Sequence, residues 1–474
     1  MKKDTHKQIR RSVIVLLWLV IWHLTAIWTD NRILLVGPLQ VLKSFVENAV
    51  RPDFTLIVLG TFTRIGLGFF LAFLCGLLFG AVSYRFALVK EVLAPVMAVL
   101  KSVPVASFVV LLLIWFGSTR LSLWISFLIV FPNVYVNTVA GFRNTDCQLL
   151  EMADLYGIFG WKRFLYLYRP ALMPCLDSCL RISLGMSWKS GVAAEIIGLP
   201  EGSLGERIYM SKIYLDTAGL FAWTLTIVLL SFCFEKVVLW LVKGFAGWRP
   251  YPVWGIYRFR KDSGKTMENA VEEIQIRHVS KSYNEKSVLC DFTLSMGKEG
   301  RYLLMAPSGG GKTTLLRVAA GMEEADQGMV TGMPPNIGMV FQEDRLCEDC
   351  DVVCNILLGM HRQGNKRMNR EQLVDYIRMQ AAEILPEECL AEPVRNLSGG
   401  MRRRVALLRA VLSGLPVLIL DEPFAGLDEE NRARSAAYLM RHQAGRPLLV
   451  TTHREEDVEL LQGVRVGIGQ VQDG

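Results

Sequence analysis

The stretch Arg301-Tyr-Leu-Leu-Met305-Ala306-Pro307-Ser308-Gly309-Gly310-Gly311-Lys312-Thr313-Thr314 decides the reading of the second half of the chain. Arg301–Met305 is a short apolar run with the pattern of a buried strand, and Leu315–Ala320 after the loop is helix-like. Strand, glycine loop and helix form the context a phosphate-binding loop needs. Glycines let backbone N–H groups curl around phosphate oxygens, and the helix start adds its dipole. Lys312 is placed for the β- and γ-phosphates, Thr313 for Mg²⁺ through its hydroxyl, and Ser308, Gly309, Gly310, Gly311 and Thr314 complete the cradle. The first position of the G-x-x-x-x-G-K-[ST] pattern is Ala306 rather than Gly. A negative φ there makes the methyl group harmless; a positive φ would cost on the order of 1 kcal/mol.

Working outward, Pro416-Val-Leu-Ile-Leu420 is a buried-strand pattern that ends in Asp421 and Glu422. Asp421 suits Mg²⁺, and Glu422 suits a general base that polarises a water. Between the two strands lies Leu397-Ser398-Gly399-Gly400-Met401, a potential second anion site at a helix start. With this phrase the second half resembles ABC ATPase domains over about 200 residues. The resemblance implies further roles. Gln342 matches the Q-loop glutamine near Mg²⁺ and the water, Asp428 the D-loop, His453 the switch histidine, and Tyr283 the aromatic residue that stacks on adenine. It also implies that Ser398, Gly399 and Gly400 grip the γ-phosphate held by a second copy, so that two chains pair head to tail around ATP.

The composition of the whole chain is unlike that of a soluble enzyme. It has 474 residues, is 51% hydrophobic and 20% charged, and has a mean hydropathy of +0.31. The net charge of +7 hides two unlike halves. Residues 1–245 hold 23 Lys and Arg against 14 Asp and Glu, whereas residues 246–474 hold 29 against 31. The basic excess thus sits in the apolar half, where it reads as membrane orientation and not as nucleic-acid binding.

Six apolar runs precede residue 245: Val13–Trp28, Leu56–Val82, Val92–Phe116, Leu121–Ala140, Leu172–Gly198 and Leu220–Val242. About 20 such residues cross a bilayer. With the N-terminus inside, eleven basic residues fall in cytosolic segments and six outside, in keeping with the positive-inside rule. That orientation leaves the second half in the cytosol. The flank Thr29-Asp30-Asn31-Arg32 offers no small-x-small cleavage site, so the first run reads as a retained anchor. The fifth run carries Asp177, Arg181, Lys189 and Glu195. Charges at that depth belong against other helices or water, either lining a pathway or pairing as Asp177 with Arg181 one turn on.

Between runs four and five stands Glu151-Met-Ala-Asp-Leu-Tyr-Gly157, then nine residues, then Leu167-Tyr-Arg-Pro170. This resembles the cytosolic E-A-A-x3-G-x9-I-x-L-P loop of bacterial ABC importer permeases. Glu151, Ala153, Gly157 and Pro170 match; Met152, Leu167 and Arg169 depart. A short amphipathic helix ending at a glycine is expected, able to dock on a partner domain. Thr61-x-x-Arg64 with Gly66-x-Gly68, and Trp115-Phe-Gly117, look like the nitrate/sulfonate/taurine branch of that family.

The expected architecture is therefore multidomain. An α-helical transmembrane bundle of about six spans (1–245, coupling loop 143–170) leads through an aromatic, Pro-rich and basic linker (246–270) to an α/β P-loop ABC ATPase domain with a helical subdomain (271–474). The resemblance implies ATP-driven import of a small solute through the inner membrane. It implies a homodimer set in membrane lipid, ATP and Mg²⁺ as cofactors, an extracytoplasmic solute-binding protein as partner, and no nucleic acid. An ABC exporter and a non-transporting ATP-dependent membrane sensor are the rival readings; the direction of solute flux separates the first, and ATP turnover without solute flux the second. Ten scattered cysteines argue against a disulfide framework. Cys347-x2-Cys350-x3-Cys354 has metal-like spacing without an evident fourth ligand and reads as incidental thiols.

Overall fold

The computed structural model describes residues 2–29, 31, 33–247, 273–284, 286–307, 309–361 and 369–468. Backbone contacts divide the chain into two units, Met1–Asn144 with Ala171–Gly247, and Thr145–Pro170 with Trp248–Gly474. Almost all of the expected linker, from residue 248, lies outside the described residues, as does Ser308.

The first unit is helical. In chain order it holds α1 (Lys2–Thr29), α2 (Pro38–Ala49), α3 (Phe54–Arg85), α4 (Ala87–Ser102) and α5 (Val105–Arg143). After α6 (Cys147–Leu155) and α7 (Gly160–Arg163) of the second unit, it resumes along α8 (Arg169–Gly198), α9 (Leu204–Ile213) and α10 (Thr217–Gly247). Four described helices have the length and apolarity to cross a membrane: Ser12–Thr29, Phe54–Arg85, Val105–Arg143 and Thr217–Phe245. The third apolar run is cut where Pro104 ends the helical path and caps α5. The fourth begins within the same long helix, beyond a break at Gly117 (φ 72°, ψ 177°), a conformation no helix holds. The fifth run lies in α8, whose five charged side chains, Arg169 included, set it apart from the apolar spans.

Small residues bring α3 against α5. Gly68, Ala72, Gly76 and Gly80 recur every four residues and make one ridge of α3. A Cβ at Gly68 would lie 2.2 Å from the Leu123 carbonyl oxygen, and one at Gly76 2.7 Å from the Val134 side chain. The charges of α8 divide by face. Asp177 and Arg181 pair with each other on an open face, Nε to Oδ2 at 2.9 Å. Glu195 is wholly buried. Its carboxylate accepts from Thr61 Oγ1 at 2.8 Å, Arg64 Nε at 3.0 Å, the Gly205 N–H at 3.3 Å and Ser122 Oγ at 3.4 Å. One acid thus ties α3, α5, α8 and the start of α9 together, and both of its oxygens are satisfied.

The second unit holds two sheets. Strands β1 (Glu273–Tyr283), β2 (Lys286–Gly297) and β4 (Gln327–Thr331) form an antiparallel sheet in the order β2-β1-β4. The other sheet is parallel, in the order β5-β6-β7-β3-β8, from β3 (Arg301–Met305), β5 (Gly338–Val340), β6 (Leu418–Asp421), β7 (Leu448–Thr451) and β8 (Val464–Gly467). β6 and β7 are buried along their whole length, which is why they read as unbroken apolar runs. Helix α11 (Lys312–Ala319) follows β3, and α12 (Val352–Gly359), α13 (Arg370–Ala382) and α14 (Gly399–Leu412) lie between β5 and β6. Helices α15 (Glu429–His442) and α16 (Glu456–Leu461) complete the unit. The order puts the carboxyl ends of β3, β5, β6 and β7 along one edge, where open parallel sheets bind ligands.

Candidate functional site

The loop leaving β3 is shaped by two left-handed glycines, Gly309 (φ 79°) and Gly311 (φ 78°). Gly311 caps α11, and a Cβ on it would lie 2.7 Å from the Val288 carbonyl oxygen. Ala306 is not among the described residues with positive φ, so its methyl group carries no backbone strain. Lys312 is buried and folds over the loop, donating to the carbonyls of Ala306 (2.5 Å) and Pro307 (3.1 Å). Burial pulls its ammonium below the ordinary lysine range, against the opposing pull of Glu422 and Asp421.

Two acids end β6. Asp421 is buried and accepts from Thr313 Oγ1 at 3.0 Å and from Thr451 Oγ1 at 2.5 Å. One hydroxyl and one carboxylate meeting at a helix start are hard oxygen donors, and they fit a Mg²⁺ ion. Glu422 is held in left-handed backbone (φ 47°), its N–H donating to Thr451 Oγ1 at 3.0 Å. Strain of this kind in a non-glycine residue costs about 1–3 kcal/mol and collects at working sites. His453, just past β7, sets Nε2 2.5 Å from Glu422 Oε1, while its Nδ1 lies 3.3 Å from Lys312 Nζ. The arrangement is a carboxylate oriented by an imidazole beside a phosphate cradle, able to take a proton from a water. Gln342, just past β5, is exposed at the same edge.

Tyr283 ends β1 as an exposed residue, and its hydroxyl donates to Glu323. Ser398 and Asp428 serve as helix caps: Ser398 Oγ accepts from the Met401 N–H at 3.3 Å, and Asp428 Oδ1 from the Asn431 N–H at 2.8 Å. Gly399 has open space around it.

The segment Glu151–Pro170 folds into this same unit. α6 is capped by Asp146, and the chain turns at left-handed Gly157 (φ 59°) beside Asn336. Ala153 is buried, and Pro170 lies in the first turn of α8. Glu151 receives Arg345 Nη1 at 2.8 Å and both terminal nitrogens of Arg317 at 3.4 Å. Arg317 stands on α11, and Arg345 three residues after Gln342. The buried Tyr156 hydroxyl donates to the Met339 carbonyl at 2.8 Å and accepts the Met339 N–H at 3.2 Å.

Some of these residues carry no motif of their own. Arg403 on α14 is buried and sends its fork to the main-chain carbonyls of Asp421, Glu422, Phe341 and Gln342. It therefore sets the ends of β5 and β6 relative to each other, and the only sequence signal is the run of three arginines. Its neighbours are also held within the unit, Arg402 by Glu348 at 3.1 Å and Arg404 by Asn431 at 2.8 Å. Cys347, Cys350 and Cys354 are buried and form no disulfide with one another, and among the described residues no group of His, Cys, Asp and Glu is arranged to hold a metal.

The ABC transporter family matches residues 262–425, and the family described as binding-protein-dependent transport system inner membrane component matches residues 68–247. A taurine import ATP-binding protein of Pseudomonas fluorescens is 32% identical over 203 residues, covering 40% of this chain and 74% of that protein. An aliphatic sulfonates import ATP-binding protein of Paracoccus denitrificans is 31% identical over 204 residues, covering 42% of this chain and 81% of that protein. The chain belongs to the ABC transporter family. It joins a permease domain and an ABC ATPase domain in one polypeptide. A sulfate/thiosulfate import ATP-binding protein of Xanthomonas campestris is 35% identical over 207 residues, covering 41% of this ABC transporter chain. The chain spans 60% of the length of that relative.

Proposed function

We propose that this ABC transporter chain is one half of a homodimeric importer that uses ATP to move a small solute into the cytosol. The observation that carries the reading is the seat of Glu151: one carboxylate bonded both to the helix after the phosphate loop, through Arg317, and to the segment after Gln342, through Arg345. That seat belongs to a lever connecting nucleotide state to the helices on either side of residues 145–170. The Thr61-x-x-Arg64 phrase, with relatives named for taurine and aliphatic sulfonates import, supports the nitrate/sulfonate/taurine branch. In this reading the ATPase domain lies in the cytosol, the permease domain in the inner membrane, and a solute-binding protein delivers cargo from outside.

The chemistry follows from the site. ATP lies on Gly309–Thr314 with adenine against Tyr283, and Lys312 leaves its loop carbonyls for the phosphate oxygens. Ser398, Gly399 and Gly400 of a second copy close over the γ-phosphate, with Asp428 near the seam. Thr313, Asp421 and Gln342 would hold Mg²⁺, which when bound neutralises charge on the phosphate oxygens. Glu422 accepts a proton from the attacking water, and His453 holds that carboxylate in place and faces the γ-phosphate.

The test is Glu422→Gln in the full chain, in lipid nanodiscs. ATP turnover should fall about 10²–10⁴-fold with nucleotide binding retained. Turnover within a few-fold of the unaltered chain would remove Glu422 from this role. Solute accumulation by inside-out rather than right-side-out vesicles would instead favour export.

A further inference from the structure

The Arg317 guanidinium is shared between two carboxylates. Nε meets Glu323 Oε1 at 2.5 Å, while Nη1 and Nη2 reach Glu151 at 3.4 Å each. Glu323 is itself shared, because its other oxygen accepts the Tyr283 hydroxyl, which also contacts the Thr314 side chain. Lys281 Nζ stands 5.8 Å from the Tyr283 ring centroid. The result is an unbroken line of polar contacts, Tyr283 to Glu323 to Arg317 to Glu151. It begins at an exposed tyrosine and ends on the segment that follows α5. Burial favours the neutral Glu323 acid, but the Tyr283 hydroxyl and Arg317 outweigh it and hold the carboxyl below its usual range. A carboxylate with two competing donors gives less to one when it gives more to the other.

We propose that Arg317 and Glu323 are positioning residues that convey adenine occupancy at Tyr283 to Glu151. This rests on reading Tyr283 as the adenine platform. A purine stacked on the ring shields the Tyr283–Glu323 hydrogen bond from water and strengthens it. Glu323 then holds Arg317 less firmly, and the guanidinium turns its charge toward Glu151. The bond from Arg345 to Glu151 does not pass through this line, so Glu151 receives two separate inputs: the base through Arg317, and the segment after Gln342 through Arg345. Linkage requires the reverse effect as well: loosening Glu151 must weaken the binding of ligands that carry the base.

Binding of ATP and of inorganic tripolyphosphate, which has no base, tests this by titration calorimetry on the full chain in nanodiscs. Glu151→Gln should weaken both ligands, through the loss of Arg345 as well as Arg317, but ATP about three- to tenfold more than tripolyphosphate. Arg317→Lys, which keeps the charge but loses the fork, should show the same selectivity. In a Tyr283→Phe background, which lacks the hydroxyl, Glu151→Gln should weaken ATP no more than it weakens tripolyphosphate. Equal weakening of the two ligands, or an undiminished effect of Glu151→Gln on ATP in that background, would overturn the relay. Tyr283→Ala separates the two claims. If it leaves ATP affinity unchanged, the adenine platform fails and the relay with it; if it weakens ATP alone, the platform stands whatever becomes of the relay.

Discussion

Replacing Tyr156 by Phe removes a single oxygen atom from the middle of the second unit. The phenol is wholly buried, and burial, outweighing the nearby Arg409, pushes its pKa up, so it stays protonated and can donate. β5 is the edge strand of its sheet, with its other side paired to β6. In a parallel ladder, one residue's N–H and C=O point the same way. Those of Met339 face Tyr156, and the hydroxyl satisfies both, accepting at 3.2 Å and donating at 2.8 Å. The Tyr156→Phe ring keeps its apolar contacts but leaves two buried backbone groups without partners. An orphaned buried group costs about 1–3 kcal/mol. Allowing for relaxation and water entry, the pair should cost about 2–4 kcal/mol. Local opening should rise roughly 30- to 1000-fold, at about 1.4 kcal/mol per decade. Hydrogen exchange read by mass spectrometry on the full chain would report it in peptides covering 147–157 and 337–341. Exchange within about threefold of the unaltered chain would refute the claim that this hydroxyl holds the 147–157 segment to the sheet edge.

Four further outcomes are expected. Glu195→Ala strips Arg64 of its buried counter-charge, so the permease unit should lose about 3–5 kcal/mol, seen as a lower melting temperature in detergent; Thr61→Ala should cost about 1 kcal/mol. Ala306→Gly should change ATP affinity less than about twofold and lower stability by about 0.4–1 kcal/mol, because the residue has no positive φ to relieve and glycine only loosens the unfolded chain. Burial draws the Lys162 ammonium down to about 8 from an ordinary 10.5. A folded pKa below the unfolded one means the charge costs stability at every pH below 8, a cost that fades between 8 and 10.5. Lys162→Gln should therefore raise stability at pH 7 by on the order of 2 kcal/mol, read as a higher melting temperature, and the gain should vanish toward pH 10.

Much of the ATPase half is legible before folding because its chemistry sits in contiguous phrases. The 301–314 stretch names its own strand, loop and helix, and the structure has them as β3, the glycine turns and α11. Asp421 and Glu422 announce themselves by ending an apolar strand. A phrase such as Leu397–Met401 is short enough that local geometry dictates a helix start. Six apolar runs are equally plain, but their division is less so. The break of α5 at Gly117 falls in the polar gap between the third and fourth runs, whereas Pro104 cuts the third run from within, because hydropathy measures solvation and says nothing of φ.

Composition determined that one half of this chain is lipid-like, and the contiguous 301–314 phrase that the other carries a phosphate cradle, since both are read from neighbours in sequence. Only the tertiary structure decided which charges meet. Glu195 finds Thr61 and Arg64 more than a hundred residues away, whereas Asp177 on the same helix meets Arg181 on its own next turn. Arg403 holds two strand ends by their carbonyls, and carbonyls leave no mark in a sequence. Glu151 matches a motif letter, but its two arginines lie 166 and 194 residues further on. Partners at such separation are chosen by how the layers pack, which no window of neighbouring residues contains.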